Sequence, residues 1–113
     1  MKGVYLIQIE NTNIFKIGST KKSPQSRLKS LQTGSPFNLI LREFYETEFY
    51  YTKIEHTLHR QFKFKKYIPE NFDNLQGEWF QLDNDDIENF LNSCKKIEEN
   101  LNFLENNSTL NFD

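Results

Sequence analysis

The sequence predicts an α+β domain: a small, mainly antiparallel three-stranded sheet flanked by helices, with a long helix towards the C-terminal end. Three observations carry that expectation. Short apolar runs and helical patterns follow one another as strand, strand, helix, strand, helix, strand, helix. The first two strands are separated only by Asn11-Thr12-Asn13, which marks a hairpin. The last pattern repeats apolar residues at three-four spacing, as a helix does.

In order, Val4, Leu6 and Ile9 supply the first strand, and Ile14, Phe15 and Ile17 the second. A hairpin of this length brings Tyr5 and Lys16 into the same part of the sheet, each near a glycine (Gly3, Gly18) that permits close approach. Ser19 to Lys22 read as a polar loop. Ser23 as N-cap, Pro24 at the first helical position and Gly34 as a stop bracket a helix of ten residues or so, with Leu28 and Leu31 inward. Arg27 sits near the start of that helix, where a cation opposes the helix dipole. It is either a surface choice or, with the free N–H groups, part of an anion site.

Leu39 to Tyr45 form the third strand. A helix from Glu48 to Phe62 follows, with Tyr50, Ile54, Leu58 and Phe62 as its buried stripe. Glu55 and His59 share a border of that stripe, one turn apart. His56 and His59 suggest zinc only weakly, because no cysteine and no third ligand accompany them. Residues 63–77 read as an irregular connection, with Pro69 excluding a long helix. Gly77 to Leu82 form a short strand with Trp79 and Phe80 as packing anchors. Asp83 caps one long final helix, with Asp86 in its first turn and Leu82 and Ile87 placed as a hydrophobic staple. Its stripe runs Ile87, Phe90, Cys94, Ile97, Leu101, Leu104. Such a stripe docks on the domain or pairs with a second copy as a homodimer. The expected organisation is a core over residues 1–82, this helix over 83–105, packed on the core or dimerising, and a flexible tail over 106–113.

Composition narrows the classes. At 113 residues the chain suits one domain that needs no metal or disulfide staple. The single cysteine, Cys94, suits a reducing compartment. No stretch approaches the ~18 apolar residues of a membrane span and no signal peptide opens the chain. Together these imply a soluble intracellular protein of the cytoplasm or nucleus, without a membrane partner; a host cell as that setting is implied only by the resemblance given below. The net charge of −2 hides an asymmetry: residues 16–66 carry eleven Lys or Arg against four acids, and residues 67–113 two against eleven. The basic half either suits a polyanion such as nucleic acid or complements the acidic half within the fold.

Taken together, these positions resemble the GIY-YIG endonuclease superfamily. Gly3-Val4-Tyr5 matches the first half of its name motif, and Lys16-Ile17-Gly18 matches the second with lysine in place of tyrosine. Arg27 falls where the family keeps its arginine, and Glu55 where it keeps its metal-binding glutamate. The wording is closest to a phage and viral branch with K-I-G, an E-x-x-x-H helix (Glu55 and His59) and G-E-W-F (Gly77 to Phe80). The resemblance spans roughly residues 3–82 and implies DNA as partner, with Mg²⁺- or Mn²⁺-dependent hydrolysis of phosphodiester bonds. By resemblance, Tyr5 is the general base or orients the water, and Glu55 holds the metal. Arg27 clamps the scissile phosphate, and His59 orients Glu55 or contacts a phosphate. Unperturbed, a phenol with a pKa of about 10 is a poor base at neutral pH, so a cation must favour its phenolate, and Lys16 is the candidate. Two departures stand out: the second tyrosine is missing, and the family's late asparagine has three possible positions, Asn71, Asn74 and Asn84. The alternatives are a nucleic-acid-binding module without efficient cleavage and a protein-interaction domain acting through the last helix.

Overall fold

The computed structural model describes residues 1–67 and 77–108. The hairpin expected from the sequence is present as β1 (Gly3–Ile9) and β2 (Ile14–Thr20). Asn11 takes the left-handed conformation in its turn (φ 63°), which asparagine tolerates because its short side chain bonds locally. β2 continues through Ser19 and Thr20, residues expected in a loop, because both still pair with β1 (Val4 with Ser19, Gly3 with Thr20). Helix α1 (Pro24–Thr33) starts where Ser23 Oγ accepts the Ser26 backbone N–H at 3.1 Å.

β3 (Leu39–Glu46) lies along β1 on the side away from β2. Helix α2 (Tyr51–Gln61) begins three residues later than the sequence suggests. The Thr47 N–H donates to the Lys2 carbonyl at 2.9 Å and the Glu48 carboxylate accepts from the Lys2 ammonium at 3.0 Å, so this stretch stays beside the sheet. Of the predicted stripe, Ile54, Leu58 and Phe62 are buried and Tyr50 is half-buried.

The sheet has five strands rather than the three expected, in the order β3-β1-β2-β5-β4, with every pairing antiparallel. Of the two strands beyond those three, β5 falls in the Gly77–Leu82 stretch read as a short strand, and β4 is new; they flank one connection. A 3-10 turn (Lys63–Lys65) leads into the two-residue β4 (Lys66–Tyr67), and β5 (Trp79–Gln81) pairs with both β2 and β4. The part of that connection containing Pro69, Asn71 and Asn74 lies outside the described residues.

The single final helix of the sequence reading is two pieces, α3 (Asn84–Glu88) and α4 (Phe90–Ser108). Asp83 and Asp86 form a capping box that opens α3. At Asn89 both the backbone N–H and the side-chain amide donate to the Asp85 carbonyl, at 3.0 and 2.8 Å, and α4 starts immediately afterwards. Residues 109–113 of the expected tail lie outside the described residues. No described helix is long and apolar enough to cross a membrane.

The sheet separates two apolar layers. Val4, Leu6, Phe15 and Ile17 face α2 and α4, where they meet Ile54, Leu58, Phe80, Phe90 and Cys94. Tyr5, Ile7, Ile9, Leu39 and Trp79 face α1, packing with Leu28 and Leu31. Strand β1, covered on both faces, therefore reads as an almost continuous buried run. Ile97 and Leu101 continue the α4 stripe against the core, whereas Leu104 is 62 % exposed. Burial pushes the Cys94 thiol up to about 12, as expected for a packed rather than reactive cysteine. Trp79, 3 % exposed, anchors the α1-side layer. Trp79→Ala should destabilise the protein by about 3–5 kcal/mol in a denaturant melt; a loss under about 1 kcal/mol would mean the layer does not depend on it.

Candidate functional site

In the β1–β2 register Tyr5 lies opposite Gly18 and Ile7 opposite Lys16, so Tyr5 and Lys16 share the α1 side of the sheet. The Tyr5 ring crosses Gly18: a Cβ there would collide with the phenol oxygen and the ring carbon that bears it. Arg27, placed by the first turns of α1, donates its Nε–H to the Tyr5 hydroxyl over a long 3.4 Å. Lys16, 7 % exposed, lies opposite Trp79 with its ammonium 5.7 Å from the indole centroid. The same ammonium lies against Gly77, whose φ of 87° and bare α-carbon leave it room.

Ser19, next along β2, belongs to the opposite face and donates its hydroxyl to Glu55 Oε1 of α2 at 2.5 Å. One turn on, His59 Nε2 is 2.7 Å from the Ile17 carbonyl and Nδ1 is 2.9 Å from Glu78 Oε2. Its distance to Glu55 Oε2 is 3.8 Å. β5 pairs with β2 only as far as Lys16, so His59 ties α2 to the first β2 carbonyl beyond that pairing. Both ring nitrogens are thereby occupied, and the residue that positions Glu55 by a hydrogen bond is Ser19. Sequence reading passed over Ser19; strand alternation after Gly18 is the signal that places it on the α2 face.

Beyond the part of β2 that pairs with β5, an open cleft of about 420 Å³ is lined by Ser19, Thr20, Lys21, Lys22, Ser26, Arg27 and Ser30. Three cations and four hydroxyls, with no carboxylate among them, suit an anion. Ser19 and Arg27 belong to this lining, so the cleft adjoins both Glu55 and Tyr5.

The ionisations are coupled across the sheet. Burial raises the pKa of Tyr5 above its ordinary 10.0, the Arg27 hydrogen bond and charge pull it down, and the Glu55 charge raises it. Burial lowers that of Lys16, helped by Arg27 and opposed by Glu55. Arg27 is a cation that favours the Tyr5 phenolate, on the same side of the sheet as the Lys16 that the sequence suggested. The neutral Tyr5 phenol stabilises the fold fully below about pH 10, and that contribution is lost as pH rises through the raised value.

Among the described residues no group of three His, Cys, Asp or Glu side chains is placed to hold a metal ion. Glu55, with its side chain 20 % exposed, is the carboxylate beside the cleft. A single carboxylate suits Mg²⁺, which keeps water and substrate oxygens in its shell, better than zinc, which takes three or four protein ligands. Of the three asparagines, Asn84 is the first residue of α3, and Asn71 and Asn74 lie outside the described residues.

A basic cleft beside an anchored carboxylate, on a small antiparallel α+β scaffold, is the kind of site that suits phosphate-bearing substrates. The chain belongs to the T5orf172 domain family, which it matches over residues 2–95. That family is phage-associated and nuclease-like, compatible at this coarse level with an endonuclease. No curated protein and no solved structure matches the chain.

The Tyr5–Gly18 contact is directly testable. Gly18→Ala should destabilise the protein by about 1–3 kcal/mol through overpacking. In a Tyr5→Ala background most of that penalty should vanish, as a double-mutant cycle in urea would show. Additive losses would mean that the ring does not occupy the space over Gly18.

Proposed function

We propose that the protein is a Mg²⁺- or Mn²⁺-dependent DNA endonuclease of the GIY-YIG type that hydrolyses phosphodiester bonds. The observation that supports this most is the Arg27–Tyr5 pair at a basic cleft that also adjoins Glu55 through Ser19. In this reading Lys21, Lys22 and the cleft hydroxyls bind the backbone of the substrate. Arg27 engages Tyr5 through Nε and clamps the scissile phosphate with its two terminal nitrogens. Glu55, oriented by Ser19, holds the metal, which when bound stabilises charge on the phosphoryl oxygens. Tyr5 accepts the proton of the attacking water or orients it. The phenol resists ionisation through burial, and Arg27 offsets that resistance. Lys16 adds positive potential on the same side of the sheet. His59 holds the Glu55-bearing helix against β2.

Two other readings have specific support. The cations and hydroxyls that line the cleft suit phosphates without cleavage, which favours a nucleic-acid-binding module that cleaves poorly. Phe103 and Leu104, 65 % and 62 % exposed near the end of α4, favour a protein partner or a homodimer through that helix.

Purified protein should nick supercoiled plasmid with Mg²⁺ and not with EDTA, and Glu55→Ala should abolish nicking. Absence of Mg²⁺-dependent nicking by the wild type across several pH values removes the enzyme reading. Arg27→Ala should lower turnover by roughly 10³, the scale of losing a cation at phosphoryl charge; activity within tenfold of wild type would return Arg27 to the surface. If Tyr5 is the base, turnover should climb with pH on the alkaline side, and Arg27→Gln should displace that limb to higher pH because its cation lowers the Tyr5 pKa. Lys16→Met should leave the limb in place, so a pH profile of the two variants separates their roles.

A further inference from the structure

The turn that closes α2 holds an aromatic ring in water. Phe64 is 91 % exposed, within the 3-10 turn Lys63–Lys65, and the Lys63 ammonium is 5.0 Å from its ring centroid. Behind it, Lys53, His56, Arg60 and Lys63 recur at spacings of three and four, and all are exposed. Phe64 follows Arg60 by four residues, so the ring ends a basic stripe on the solvent side of α2. Neighbouring cations are committed elsewhere: Lys65 pairs with Asp83 and Asp86, and Lys66 with Glu78. Among the described residues the ion pairs do not include Lys53, Arg60 or Lys63.

Cations in a row match a phosphate backbone, and a bare ring matches the face of a base. Paired DNA offers phosphates along its outside but keeps its base faces stacked inside. A ring presented in this way therefore gains a partner only where bases are unpaired.

We propose that the solvent face of α2 binds a single-stranded stretch of DNA, with Lys53, Arg60 and Lys63 on the phosphates and Phe64 stacked on a base. The choice of DNA rests on the endonuclease reading above. Glu55 lies within α2 and Phe64 just past its end, so one strand can reach both. The substrate class follows: duplex DNA interrupted by unpaired bases, cut near the base that Phe64 holds.

Fluorescence anisotropy in EDTA tests this without cleavage, using a fluorescein-labelled oligothymidylate and a fully paired duplex. Phe64→Ala should weaken binding to the single strand on the order of tenfold. It should change duplex binding less than twofold, and Phe64→Trp should restore single-strand affinity. Equal loss on both probes, no loss on the single strand, or failure of the tryptophan to restore binding would overturn the proposal. So would binding to phosphatidylserine-containing vesicles that depends on Phe64 while oligonucleotide binding does not. With metal, wild type should cut a bubble-containing duplex in preference to a paired one, and Phe64→Ala should erase that preference; a preference unchanged by the variant overturns it. Failure of all cleavage, with Phe64-dependent strand binding intact, counts against the nuclease reading alone.

Discussion

The ring of Tyr5 lying across Gly18 is the contact on which the arrangement of the site depends. It exists because the hairpin register sets those residues opposite each other and because Gly18 has no Cβ to fill the space. With the ring there, its hydroxyl reaches the Arg27 guanidinium. A slip of one residue would move Tyr5 to the α2 side and turn every neighbouring side chain over. Register is secured by the burial of β1 on both faces, so the packing that stabilises the fold also positions the phenol.

The same strand divides the site between two faces. Gly18 and Lys16 belong with α1, and Ser19 belongs with α2, so successive β2 residues serve opposite layers. Because β5 pairs with only three residues of β2, the later part of that strand adjoins the basic cleft. Arg27 and Glu55 come from helices on opposite sides, and each acts electrostatically on Tyr5 and Lys16. Part of the charge asymmetry of the chain is satisfied within the fold. Lys65 joins the basic half to Asp83 and Asp86, while Lys21, Lys22 and Arg27 gather around the cleft.

Much of this was legible because its signals are local. The hairpin turn, the Ser23 cap, the Asp83–Asp86 capping box and the buried positions Ile54, Leu58 and Phe62 all follow from neighbours in sequence. What escaped was set by tertiary partners. Lys66-Tyr67 is too short to read as a strand and becomes one only by pairing with β5. Ser19 looked like loop because polarity masks a residue that continues the ladder with β1. Asn89 interrupts the last helix through its own bond to Asp85, although the heptad stripe runs through it unbroken. The pairing of Tyr5 with Arg27 could not be read from spacing, since it depends on how α1 lies over the sheet.

In the proposed endonuclease, Glu55 and Arg27, from opposite sides of the sheet, meet on one phosphate. The most direct measurement is anomalous diffraction from crystals grown with Mn²⁺ and a DNA duplex whose scissile linkage resists hydrolysis. A manganese peak should appear, coordinated by the Glu55 carboxylate and by an oxygen of the phosphate that Arg27 contacts. A peak bound away from Glu55, or a phosphate held without Arg27, would contradict it.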